Sequence, residues 1–164
     1  MLRTVAVLLV ITGIGGAAVA EDHESCPMAR SHRDQVDHRH DEATGVAHEG
    51  AVHHFLLARD GGSIQLEAND ANDVETRDRI REHLQVVARS FAAGDFSLPL
   101  AIHNQVPPGV EGMKARKSAI RFAYAPTAKG GVVRISTRDA KALDAVHEFL
   151  RFQIRDHGTN DPTE

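Results

Sequence analysis

The sequence predicts an α+β fold: two ββα repeats forming a four-stranded, mainly antiparallel sheet with two helices on one face. Three observations lead there. Short segments alternate apolar and polar residues in two pairs, a glycine pair separates the members of each pair, and an amphipathic stretch follows each.

The first repeat begins at residues 53–58, His53-His54-Phe55-Leu56-Leu57-Ala58, and continues in residues 63–68. Asp60-Gly61-Gly62 between them is a hairpin signal, because glycine supplies the backbone angles of a tight turn. Asn72 or Asp73 then caps a helix whose apolar positions Val74, Ile80, Leu84, Val87, Ala88 and Phe91 keep helical spacing up to Gly94. The second repeat runs from residues 118–125 through Lys129-Gly130-Gly131 to residues 132–136. Thr137 or Asp139 starts its helix, with Leu143, Val146, Leu150 and Ile154 on one face. An offset of about 66 residues superposes Asp73 on Asp139, Ile80 on Val146 and Leu84 on Leu150, the mark of an internal repeat. Between the repeats, residues 95–117 hold Pro99, Pro107, Pro108, Gly109 and Gly112 and read as a long loop.

Ahead of this domain (52–158) the chain has a different character. Residues 1–20 combine Arg3, an apolar stretch and Ala18-Val19-Ala20, the pattern of a cleavable signal peptide; a periplasmic or secreted protein follows. Its removal leaves 18 Lys and Arg against 23 Asp and Glu, a charge of −5, which argues against nucleic acid as a partner. No membrane span remains after cleavage. The single cysteine, Cys26, rules out an internal disulfide. Residues 21–51 carry only Val36 and Val46 as branched apolar residues, too few to offset the cost of ordering, so they read as a disordered His-rich arm. Residues 159–164 read as a flexible tail.

Eleven histidines are the outstanding chemical feature. Imidazole suits copper and zinc, and sulfur selects Cu(I). The arm offers His23, Cys26, Met28 and His32 as one group, then His38 and His40, then His48, leading into His53 and His54. A second candidate site lies in the domain, where His54 leads into the hydrophobic strand, His83 and His147 fall beside the buried stripes of the helices, and His103 and Met113 share the long loop. These residues make an exported metal-binding protein the leading expectation, with copper, or zinc, buffered or delivered by the arm. The competing expectation is a non-catalytic interaction module that recognises a protein partner in the periplasm. Haem is disfavoured: Cys-x-x-Cys-His is absent and aromatic residues are scarce. No nucleophile elbow, phosphate-binding loop or His-Glu-x-x-His occurs, so an enzyme is not expected.

His53-His54-Phe55, Asp60-Gly61-Gly62, Ile80-Arg81-Glu82-His83-Leu84, Ile102-His103, Pro107-Pro108-Gly109, Met113 and Phe149-Leu150-Arg151-Phe152-Gln153-Ile154 together resemble a group of small exported bacterial proteins of unknown function. The resemblance covers residues 45–161 and implies bacterial origin and no particular activity.

Overall fold

The structure is a computed structural model that describes residues 27–164. The expected signal peptide, His23 and Cys26 lie outside the described residues.

The chain order is α1 (Pro27–Thr44), β1 (Ala51–Ala58), β2 (Gly61–Ala68), α2 (Val74–Ala93), α3 (Ser97–His103), α4 (Val110–Ala115), β3 (Ile120–Pro126), β4 (Gly130–Thr137) and α5 (Ala140–Asp156). The four strands form one antiparallel sheet in the order β1-β2-β4-β3, so the two hairpins meet along their second strands. This is the α+β arrangement the sequence predicts. Both long helices start where expected. The Asp73 carboxylate accepts a hydrogen bond from the Thr76 amide at the head of α2, and that of Asp139 accepts one from Ala142 at the head of α5. Gly94 ends α2 in the left-handed conformation, φ 83°.

Each helix crosses over to the other repeat's strands. Helix α2 lies against β3 and β4, and α5 lies against β1 and β2. The glycine pairs explain how. They open strands β2 and β4 instead of forming the turns, and the β1–β2 connection is only Arg59 and Asp60. A Cβ on Gly62 would stand 2.2 Å from Leu150 of α5, and one on Gly131 would stand 3.2 Å from Leu84 of α2. Their missing side chains let equivalent leucines of the two repeats reach the sheet.

Three expectations fail. Residues 27–44 are helix α1, not a disordered arm, because Val36 and His40, four apart on one face, are both buried, with α1 packed against α3. Arg39 reinforces the contact by donating to the Ile102 carbonyl at 2.5 Å. Val46 is buried as well. Two buried valines at about 1.5–3 kcal/mol each contribute what mean composition does not reveal. The region 95–117 contains α3 and α4, since Pro99, Ile102, Val110 and Met113 turn inward. Residues 159–164 are not a loose tail: Asp161 accepts a hydrogen bond from the Phe55 amide at 2.9 Å, and Arg151 donates to the Thr163 carbonyl. That contact covers the outer edge of β1, which would otherwise present unpaired backbone groups.

Candidate functional site

Alternation along β1 decides which of two adjacent histidines enters the domain. Ala51, His53 and Phe55 face the helices, while Val52, His54 and Leu56 face outward. His53, not His54, therefore joins the interior, because the apolar residues that set the strand's inward face are Ala51 and Phe55. The outward His54 ring sits 2.9 Å from Asp161.

Around His53 the fold gathers four more imidazoles from four other places. His40 comes from α1, His83 from α2, His103 from the last position of α3, and His157 from the residue after α5. All five line one cavity of about 50 Å³. Its remaining wall is largely apolar, including Phe55, Ile64, Val87, Phe91 and Phe149, with the amide of Gln153 as a further polar group. None of the described lining residues carries a hydroxyl, thiol or amine.

His40 is the hub. Its Nε2 lies 3.1 Å from Nε2 of His53. The ring centres of His83 and His157 are each 6.0 Å from that of His40, and His53 stacks on His157 at 5.3 Å. His40 is only 3 % exposed, and its Nδ1 is buried without a hydrogen-bond partner; the nearest acidic oxygen, Asp41 Oδ1, stands 3.7 Å away.

Burial sets the charge of this group. Desolvation lowers the pKa of His83 to about 4, with the neighbouring His40 adding to the effect. Desolvation also lowers His40, and pushes His53 and His157 well below the ordinary histidine value, reinforced by the other rings. At neutral pH these four are uncharged imidazoles, each with one nitrogen lone pair.

His103 is held differently. Its Nδ1 meets Asp156 Oδ2 at 2.5 Å and its Nε2 meets the Gln153 side-chain oxygen at 3.0 Å. Asp156 also meets His32 Nε2 at 2.8 Å through its other oxygen. Burial disfavours ionisation of Asp156, yet the hydrogen bonds from His103 and His32 outweigh it and lower its pKa. A surface histidine is thereby joined to the cavity wall through one carboxylate. The Gln153 side-chain nitrogen is buried without a partner.

No protein-family model, curated protein or solved structure matches this chain.

The remaining candidates disperse. Met28 is 79 % exposed, His38 is exposed beside Glu42, and His48 approaches Asp37 at 3.4 Å. Met113 is fully buried in the apolar core and does not line the cavity with His103. His147 Nε2 lies 3.0 Å from the carbonyl oxygens of both Ala58 and Gly61, a hairpin contact away from the cavity. His157 is the member that sequence reasoning did not select. Its signal was present, because Phe149, Gln153 and His157 recur every four residues along the buried face of α5. Among the described residues, no three His, Cys, Asp or Glu side chains already converge as a metal-binding group, and no helix is long and apolar enough to cross a membrane.

Proposed function

We propose that this is an exported protein that binds a transition-metal ion, copper or zinc, through the imidazoles of the interior cavity, with His40 and His53 as the first pair and His83 and His157 in reach. One observation carries the reading: the 3.1 Å separation of the His40 and His53 Nε2 atoms. With metal–nitrogen bonds of about 2.0–2.1 Å, two nitrogens on one edge of a tetrahedral site stand about 3.3–3.4 Å apart. The pair is thus within a few tenths of an ångström of a ligand edge, in a cavity of about 50 Å³.

Charge supports the same reading. A metal ion takes up neutral imidazole and must displace any proton already bound. Desolvation has kept His40, His53, His83 and His157 neutral in advance. Asp41, 3.7 Å from His40 Nδ1, is placed to orient that ring from outside, as carboxylates do for metal-bound histidine. The site joins the N-terminal helix to the domain, so neither the arm nor the domain holds the ion by itself.

The test is metal titration of tag-free protein against competing chelators. One ion per chain is expected, lost in His40→Ala and His53→Ala and kept in His38→Ala. Affinity no better than that of a short histidine peptide would refute it, as would equal loss in the His38 variant.

A further inference from the structure

We propose that the cavity selects monovalent copper over divalent ions. This inference rests on the metal-binding reading above and adds to it the charge of the ion.

Five imidazoles and one amide line the cavity, with no carboxylate among them, and both nitrogens of one of the five, His103, already face acceptor oxygens. The nearby acids are engaged elsewhere or lie on the far side of a ring. Asp156 is held between His103 and His32. Asp41 approaches the outward Nδ1 of His40 and accepts a hydrogen bond from the His48 amide. Asp37 sits beside His48. The rest of the wall is largely hydrocarbon and aromatic ring.

In such surroundings the cost of burying an ion grows with the square of its charge, so a divalent ion costs about four times as much as a monovalent one. Neutral ligands return none of that cost as charge neutralisation. Imidazole by itself does not choose between copper and zinc; the lack of a negative ligand in the described wall weighs toward the lower charge.

Coordination number points the same way. Zinc takes four ligands in structural sites and at least three protein ligands in catalytic ones, whereas the nitrogens that already face each other in the cavity are a pair. Cu(I), with a filled d shell, accepts two or three. His40 and His53 already supply two facing nitrogens 3.1 Å apart, and a slight parting of the rings admits the ion between them. His83 or His157 then offers the third.

The experiment uses the full mature chain without a tag, kept anaerobic, in wild-type form and as the double variant Cys26→Ser/Met28→Leu, which removes both candidate sulfur ligands of the arm. Cu(I) is titrated against a bidentate Cu(I) chelator, and Zn(II) and Cu(II) against their own chelators. The expected result is one Cu(I) per chain in both proteins, held at least about tenfold more tightly than either divalent ion, with X-ray absorption showing two or three nitrogen ligands. His53→Gln, checked by circular dichroism for an intact fold, should release it. Divalent binding at the cavity as tight as that of Cu(I) overturns this inference and leaves the metal-binding reading standing. Cu(I) lost in the sulfur-free double variant, or kept in folded His53→Gln, also overturns it. If wild-type protein binds none of the three ions, both readings fail.

Discussion

The ring of His147 is fastened to the carbonyl oxygen of Gly61, its Nε2 lying 3.0 Å away and at the same distance from the Ala58 carbonyl. A side chain of α5 thus closes the first hairpin from across the domain. His147→Ala leaves those two oxygens short of a donor, at a cost of about 1–2 kcal/mol. Urea unfolding should show that loss while metal stoichiometry stays unchanged. A variant that loses metal but keeps its stability would show that His147 belongs to the binding site instead.

Acid should destabilise the metal-free protein through its buried histidines. His83 falls to about 4 in the folded state, and His40, His53 and His157 are lowered as well. Against an unfolded value of 6.5, the unfolded chain binds more protons between those limits. Stability is therefore whole above about pH 6.5 and declines as pH falls toward 4, by up to about 1.4 kcal/mol per pH unit for each histidine involved. Asp156 and Asp161 add losses of the same sign only below about pH 4, their folded values lying under 3.8. Asp37, raised above 3.8 by burial, acts in the opposite sense. Denaturation midpoints at pH 7.5 and pH 5 measure the effect; an equal or higher midpoint at pH 5 would contradict it.

Helix α1 is held by few side chains, and Val36 is the apolar one, fully buried four residues before His40. Val36→Ala should cost about 1–2 kcal/mol, felt locally in the docking of α1. Amide exchange in α1 should quicken while the sheet stays protected, and cavity metal affinity should fall in the direction of the His40→Ala value. Unchanged affinity together with accelerated exchange would mean that His40 is dispensable.

Gly109 stands at the head of α4 with φ +83°, and a Cβ there would come within 2.1 Å of the Ala145 carbonyl oxygen of α5. Both the backbone angle and the contact exclude a side chain. Gly109→Ala should cost about 2 kcal/mol or more, seen as a lowered melting temperature. Gly50→Ala, where nothing lies within 4 Å, is the matched control.

Much of the fold could be read from the chain because helix capping and strand alternation are local signals. Asp73 and Asp139 cap the helices they precede, and Leu84 and Leu150 occupy matching positions. What stayed hidden was non-local. The glycine pairs look like turn residues, yet their use is to admit a leucine from the opposite repeat. Alternation told that one of His53 and His54 enters the interior; the choice fell to Ala51 and Phe55, which share the face of His53. His40 was assigned to an arm too polar to fold because composition averages over the segment, whereas docking needs only the few residues that touch the domain, Val36 and His40 among them. His157, one residue past α5, continues a four-residue recurrence that a helix boundary conceals.

The five imidazoles sit at positions 40, 53, 83, 103 and 157, on α1, β1, α2, α3 and just beyond α5. During synthesis the first of them waits for nearly the whole chain, and no fragment that stops before α5 ends owns the complete set. Occupancy of the cavity would thus carry a mark of assembly: the last of the five imidazoles joins what α1 offers only once α5 is made.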